Sequence, residues 1–197
     1  MNRTAAFTGT LLIGLVGSAP AFADTWTLDT SHSHVGFSVA HLVVTKAKGQ
    51  FNKFSGTVQI DDKDITKSTV NVEIDAASID TNDEKRDGHL KSPDFFNVAK
   101  HPKLTFVSTK VKKAGKGKLT VLGNLTIAGT TKPVTLTVEG PSKAVKDPWG
   151  NTRRALSATT KINREDFGMT WNKALEAGGM VVGKEVTIQI EAELIKK

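Results

Sequence analysis

The sequence of 197 residues contains no cysteine and no tyrosine, and only 6% of its residues are aromatic. The absence of cysteine excludes a disulfide framework, thiolate chemistry and a cysteine-ligated zinc site. Apolar runs long enough to span a membrane are also lacking. The stretch from Ala5 to Val16 is shorter than the ~20 residues that a membrane-spanning helix needs. The fold must therefore be held together by packing alone.

The first residues are typical of a secretory signal. Asn2 and Arg3 provide a short positive start, the apolar stretch follows, and Ala21-Phe22-Ala23 has the small residues of a cleavage site. A retained membrane anchor is the weaker alternative. We expect cleavage of residues 1–23, export to the periplasm, and one mature domain over residues 24–197.

Apolar residues alternate with small or polar ones along most of the mature chain. Val35, Phe37 and Val39 share one face of an extended segment. The same period recurs at residues 58–60, 70–74, 104–106, 119–121, 134–138, 156–158 and 186–194, and turn sequences lie between them. Because closure removes the exposed edges of a sheet, the pattern predicts an all-β, eight-stranded antiparallel barrel. A helical insertion is predicted at residues 81–99.

The polar clusters of the sequence do not complete a metal or catalytic site. His32 and His34 have the spacing of a chelating pair, but no third ligand joins them, and structural histidines are commoner. The acidic segment 61–64 lacks the glycine and glutamate of a calcium loop. No Gly-x-Ser-x-Gly occurs, and the mixed charges at 83–89 are typical of a solvated, ion-paired face. We therefore expect no metal and no cofactor.

The formal net charge of +7 raises the question of an anionic partner. The densest basic patch consists of Lys110, Lys112, Lys113, Lys116 and Lys118. An exported protein seldom meets nucleic acid, and no aromatic residues alternate with these lysines, so we expect no nucleic-acid partner. A solubilising surface is the first interpretation, and transient contact with an anionic membrane surface is the alternative.

A set of motifs runs along nearly all of the mature chain. They include Trp26-Thr27-Leu28-Asp29, Gly49-Gln50-Phe51, Ser78-Ile79-Asp80-Thr81-Asn82, Arg86-Asp87, His89-Leu90, Asp94-Phe95-Phe96-Asn97, Arg164 and Asp166-Phe167-Gly168. Together they resemble the motifs of the YceI-like family of exported lipocalin-type proteins. The resemblance implies a lipocalin-like barrel that binds a polyprenyl lipid or an isoprenoid quinone and has no catalytic activity. The headgroup, the role in storage, transport or protection, and the existence of a homodimer stay open.

The candidate ligand-binding residues are apolar side chains of one strand parity, of the helical insertion and of the glycine-rich segment near the end. They are Phe37, Val39, Phe95, Phe96, Phe106, Phe167, Met169, Trp171 and Met180. Arg86 and His89 are candidates for a headgroup contact, although ion pairs with Asp83 or Asp87 are the commoner arrangement. Two rival hypotheses are a lipid-modifying enzyme that uses the same cavity and a stress-related scaffold with a filled barrel.

Overall fold

The computed structural model describes residues 23–42, 44–176 and 178–197. Within these residues the chain forms twelve strands and one α-helix, α1, at Glu84–Lys91. The strands are β1 (Asp24–Leu28), β2 (His34–His41), β3 (Thr45–Phe51), β4 (Phe54–Ile60), β5 (Thr69–Asp75), β6 (Ile79–Asp80), β7 (Lys103–Gly115), β8 (Lys118–Ile127), β9 (Thr130–Glu139), β10 (Val145–Lys146), β11 (Thr152–Asn163) and β12 (Val182–Lys196).

The long strand β12 closes the sheet into a barrel. On one edge it pairs with β1, where Leu28 lies opposite Leu194, and with β2, where Phe37 lies opposite Ile188. On the other edge it pairs with β11. Eight of the twelve strands occupy the ring in pairs, the two members of a pair lying one after the other at the same position. These pairs are β1 and β2, β3 and β4, β5 and β6, and β9 and β10. The ring therefore has eight antiparallel positions. The predicted eight-stranded antiparallel barrel is confirmed.

Two glycines make room for phenylalanine rings on the inner face of the barrel. Gly49 lies opposite Phe37, and a Cβ atom at Gly49 would lie 2.5 Å from Phe37 Cζ. A Cβ atom at Gly123 would overlap the ring of Phe106 and lie 2.7 Å from the carbonyl oxygen of Val107. Because glycine has no Cβ, each ring packs directly on the neighbouring strand.

One end of the barrel, here called the closed end, is filled by Trp26, Val58, Ile60 and Leu194, which form a separate apolar cluster. Trp26 is only 1% exposed. The guanidinium of Arg154 lies 5.0 Å from the centre of the Trp26 ring, a cation–π distance. These four side chains therefore pack against one another across this end of the barrel.

A network of charges holds the strands together at the closed end. Arg153 Nη1 donates to Asp29 Oδ2 at 2.6 Å and also to Glu193 Oε1, and Arg153 Nε donates to Asp147 Oδ2 at 2.6 Å. The hydrogen bond from Arg153 is the main cause that lowers the pKa of Asp147 to about 2. Hydrogen bonds from Ser31, and after it from His32 and Arg153, hold the pKa of Asp29 well below its usual range.

The opposite end, here called the helix end, carries α1 and the segment that follows it. Asp83 accepts a hydrogen bond from Arg86 N at 3.0 Å and starts the helix, as expected for an N-cap. The helix stops at Lys91, shorter than the predicted 81–99, and the chain continues as turns. Pro93 explains the difference, because a proline disfavours the helical conformation at the residue before it, and Ser92 is extended with a ψ of 171°.

Within the described residues, no helix is both long enough and apolar enough to cross a membrane. α1 has eight residues, none of them buried. It therefore contributes little to the core by itself, and its position depends on the side chains around it.

We predict that Gly123→Ala lowers the free energy of unfolding by about 1–3 kcal/mol, the usual range for overpacking a core. The added methyl group would displace the ring of Phe106. Urea unfolding followed by circular dichroism measures the change. Gly88→Ala is the matched control, since Gly88 lies inside α1 with no atom within 4 Å of an added Cβ. That control should raise stability by up to ~1 kcal/mol. Unchanged stability of Gly123→Ala would contradict the packing described.

We predict that Arg153→Met lowers the urea midpoint at pH 7, because it leaves neighbouring carboxylates without their shared cation. Carboxyl groups with a lowered folded pKa stabilise the fold above their unfolded pKa and lose this effect as the pH falls. The difference between wild type and variant should therefore shrink between pH 5 and about pH 2, where Asp147 protonates. Lys118→Met, which breaks an exposed pair with Glu139, is the control and should change little. A pH-independent difference would contradict the role of the charges.

Candidate ligand cavity

The barrel encloses a cavity of about 240 Å³. Its wall is formed by inward side chains from all around the ring and by three residues of the helix end, Leu90, Phe95 and Phe96. Among the described residues, polar side chains in the wall are restricted to Ser33, Ser68, Thr160, Arg164 and Glu191. An apolar cavity gives water too few hydrogen-bond partners, so a space of this kind favours an apolar occupant.

Aromatic side chains line the part of the cavity nearer the helix end. The rings of Phe37 and Phe51 lie 5.9 Å apart, and Phe51 meets Phe96 edge to face at 5.8 Å. Phe51 lies at the end of β3 and Phe96 in the turns after α1, so this contact joins the sheet to the helix end. The insertion therefore takes part in the cavity wall.

The structure brings together a majority of the candidate ligand-binding residues from the sequence. The side chains of Phe37, Val39, Phe95, Phe96, Phe106 and Met169 line the cavity.

The three others lie elsewhere. Phe167 is buried in the main core, outside the cavity wall. Trp171 packs behind the wall, with its ring 5.5 Å from Phe95. Met180 lies on the surface and is 50% exposed.

The two candidate headgroup residues lie outside the cavity wall. Arg86 donates from Nε to Thr81 Oγ1 at 2.8 Å and from Nη2 to Thr81 O at 2.6 Å. Asp87 accepts from the same residue, at 2.9 Å from Thr81 N and 2.5 Å from Thr81 Oγ1. Thr81 is buried, so these contacts fix the segment that leads into α1.

His89 joins α1 to the residues behind the cavity wall. Its Nε2 atom lies 2.8 Å from Asp94 Oδ2, and its ring meets those of Phe95 and Trp171 edge to face at 5.1 and 4.7 Å. His89 and Trp171 thus support Phe95, which lines the cavity.

Sequence reasoning missed several residues of the wall. Phe51, Phe54 and Leu90 line the cavity although they were not candidates. Phe51 stands in the resemblance motif at residues 49–51, which was a signal that could have identified it. Leu90 also stands in a resemblance motif, at residues 89–90, whereas Phe54 has no such signal. The approach of both side chains to the barrel axis depends on how α1 and the strands meet.

Arg164 is a further residue of the wall that was not a candidate. It follows β11 directly and is only 3% exposed. Its Nε atom donates to Gly183 O at 2.9 Å, and Nη1 donates to Met169 O. Burial lowers the pKa of its guanidinium, although arginine stays charged in proteins. A buried, positively charged side chain thus forms part of a mostly apolar wall.

One cluster outside the cavity has the residue types of a metal site. Asp29, His32 and Glu193 bring three ligand atoms within 4.8 Å of one another. Both carboxylates already accept hydrogen bonds from Arg153, however, and His32 Nδ1 lies 2.9 Å from Asp29 Oδ2. The guanidinium therefore provides the positive charge at this place. His34 is exposed and is not part of the cluster.

Comparisons with known proteins agree with this architecture. A family model for the YceI-like domain matches residues 26–194. Protein YceI of Salmonella newport is 42% identical over 164 residues, which are 83% of this chain and 85% of that protein. The crystal structure of Burkholderia cenocepacia BcnA is similar with a TM-score of 0.72 and 25% identity, covering 84% of this chain and 98% of BcnA.

A polyisoprenoid binding domain from Saccharophagus degradans has the same fold, with a TM-score of 0.62 and 16% identity, covering 87% of this chain and 98% of that domain. The region matched by the family model extends from Trp26 in β1 to Leu194 in β12 and thus includes the whole ring of strands. The resemblance seen in the sequence is confirmed, and the chain belongs to the family of YceI-like domain proteins.

Proposed function

We propose that this protein binds one long-chain isoprenoid lipid, a polyprenyl lipid or an isoprenoid quinone, inside the barrel and carries it through the periplasm without altering it. The apolar cavity of about 240 Å³ is the observation that carries the proposal. A prenyl tail gains ~0.8 kcal/mol for each CH₂ group that leaves water, so a tail of tens of carbons requires such an enclosure in an aqueous compartment. The polyisoprenoid binding domain from Saccharophagus degradans adds support through its shared fold.

Export is part of the proposal. The signal peptide expected at residues 1–23 lies outside the described residues except for Ala23. The described chain starts next to β1, so its first strand lies directly after the expected cleavage site. The absence of cysteine suits a fold that needs no disulfide in an oxidising compartment.

We further propose that the lipid enters and leaves at the helix end. The closed end is filled by Trp26 and Leu194, two fully buried side chains. At the helix end the wall consists of Leu90, Phe95 and Phe96, which belong to a short helix and turns rather than to the hydrogen-bonded ring. Moving this segment breaks fewer strand hydrogen bonds than opening the closed end.

The helix end also carries exposed apolar side chains suited to a membrane surface. Leu42 is 40% exposed, Val44 87% and Met180 50%, and together they are called the tip surface. The hydrogen bond from Leu42 N to Val181 O, 2.9 Å long, holds the two parts of the tip surface side by side.

Basic residues accompany the tip surface. Lys46, Lys48 and Lys173 are exposed nearby in sequence, and within the described chain none of them forms an ion pair. Each lysine near an anionic bilayer contributes about 1 kcal/mol. The lysines at residues 110–118 lie on the β7–β8 hairpin, whose tip is towards the closed end, so they face away from the proposed entrance.

We predict that organic extraction of gently purified protein followed by mass spectrometry yields about one prenyl lipid per chain. Ala158→Phe, which adds a ring to the cavity wall, should reduce the extracted lipid at least about fivefold, because a cavity this tight cannot accept both ring and tail. Val107→Phe is the matched control on the exposed outer face and should leave the yield unchanged. Circular dichroism checks that both variants fold.

A clean extract from folded wild-type protein would overturn the lipid-binding proposal and favour the scaffold with a filled barrel. A chemically altered lipid formed from an added one would favour the enzyme. The charged segment 83–89 holds residue types suited to acid–base chemistry, among them Asp87, so the enzyme hypothesis expects Asp87→Asn to abolish turnover and leave lipid retention intact.

We predict that the protein sediments with vesicles containing about 30% phosphatidylglycerol in phosphatidylcholine, and less so at high salt. The double variant Val44→Asp, Met180→Ser should reduce the bound fraction at least about fivefold, because the tip surface would lose its apolar contact. The control variant Val145→Asp, Trp149→Ser alters exposed apolar residues at the closed end and should bind like wild type. Loss of binding in the control alone would contradict docking through the helix end.

A further inference from the structure

Among the described residues of the cavity wall, Arg164 is the one with a positive charge, and part of its hydrogen-bonding capacity is unused. Two of its three nitrogens donate to backbone carbonyls, Nε to Gly183 and Nη1 to Met169. The third, Nη2, is buried and has no hydrogen-bond partner among the described residues. A buried donor without a partner is uncommon in native structures and calls for an explanation.

The charge of Arg164 also lacks a directly paired counterion among the described residues. Within the described chain, no carboxylate forms an ion pair with Arg164. The adjacent Glu165 pairs instead with Lys184, at 2.9 Å. Burying a charge without a counterion or full hydrogen bonding is costly, and arginine cannot escape the cost by losing its proton.

The surroundings of Arg164 fix its position firmly. Gly183 lies at the start of β12, and Met169 follows the turn after β11. The guanidinium therefore joins the start of β12 to the segment after β11, at the helix end. Met169 itself lines the cavity. The two carbonyl contacts hold the planar group, and with it Nη2, in one orientation.

We propose that Nη2 of Arg164 donates a hydrogen bond to a carbonyl-type oxygen in the headgroup of the bound lipid, and that Arg164 thereby selects lipids that carry such an oxygen. This inference rests on the proposed lipid-binding function and deepens it. Quinone carbonyls and carboxylates both offer this oxygen, whereas a hydrocarbon offers none. The tail then occupies the apolar remainder of the cavity.

The alternative is that Arg164 is only a structural tie between β12 and the turn after β11. A structural tie would affect all ligands equally, since none would depend on Nη2. A headgroup contact affects only ligands with the acceptor oxygen. The two roles are therefore separated by comparing ligands that share one tail and differ in the headgroup.

The test measures dissociation constants for four probes with the same 20-carbon prenyl tail: a naphthoquinone, a carboxylic acid, an alcohol and a headgroup-free hydrocarbon. Delipidated full-length mature protein is titrated in competition with a fluorescent lipid. We expect wild type to bind the quinone or the acid at least about tenfold more tightly than the hydrocarbon, equal to about 1.4 kcal/mol. The stronger of the two identifies the source of the oxygen.

Arg164→Met should reduce this preference to about twofold or less while hydrocarbon binding stays within about threefold of wild type. Lys184→Met, which removes an exposed cation paired with the adjacent Glu165, is the matched control and should keep the full preference. Arg164→Lys provides a second variant in case the methionine variant unfolds. It keeps the charge with fewer donors in a different geometry and should give an intermediate preference.

Equal loss of affinity for all four probes in the Arg164 variants would overturn the inference and leave a structural role alone. Equal binding of all four probes by wild type would overturn it too, with the lipid-binding function intact. Failure of wild type to bind any probe would overturn the proposed function together with this inference. A preference that survives in both Arg164 variants would assign the selection to other residues.

Discussion

Closure of the sheet through β12 is the constraint on which the rest of the molecule depends. The strand pairs with β11 along one edge, from Arg153 opposite Ile195 to Asn163 opposite Glu185, and with β1 and β2 along the other. Closure satisfies backbone hydrogen bonds without a free edge and directs every second side chain towards one axis. A dry interior follows directly from these two effects, because the inward residues of nearly all positions are apolar.

The two ends of this ring are completed by different structural elements, so the barrel is asymmetric along its axis. At the closed end, Trp26 fills the axis and Arg154 covers it, while Arg153 draws together carboxylates from neighbouring segments. At the helix end, a short exposed helix and turns complete the wall through Phe95 and Phe96. Strand hydrogen bonds are cooperative and costly to break, whereas a segment held by side chains can open locally.

The sequence predicts the strands of the ring better than it predicts which side chains pack in the core and which line the cavity. Alternation identified β2, β5, β9 and β12, since a strand with one apolar face repeats every two residues. The pattern missed β3, because its exposed Lys46 and Lys48 dominate a segment in which Gly49 replaces an inward side chain beneath Phe37. Six aromatic or aliphatic candidates lie in the cavity wall, but parity along a strand could not separate the wall from the solid core around Phe167. Arg164 stands among the resemblance motifs but was not a site candidate, because its burial is set by Gly183 and Met169, which meet it only in the folded chain.

The balance of free energies explains why a single polar group can matter in so apolar a cavity. In the proposed function, a prenyl tail exchanges the hydrocarbon of the membrane for the apolar side chains of the barrel. Because the two surroundings are similarly apolar, the free energy of this transfer would be nearly balanced. The length of the tail alone therefore favours neither the membrane nor the barrel strongly. A headgroup leaves water or lipid headgroups when it enters the barrel, and it loses hydrogen bonds unless the wall replaces them. In a wall with few polar side chains, the unused donor of Arg164 is the group that can tip this balance, which links the choice of lipid to the same end of the barrel through which it would pass.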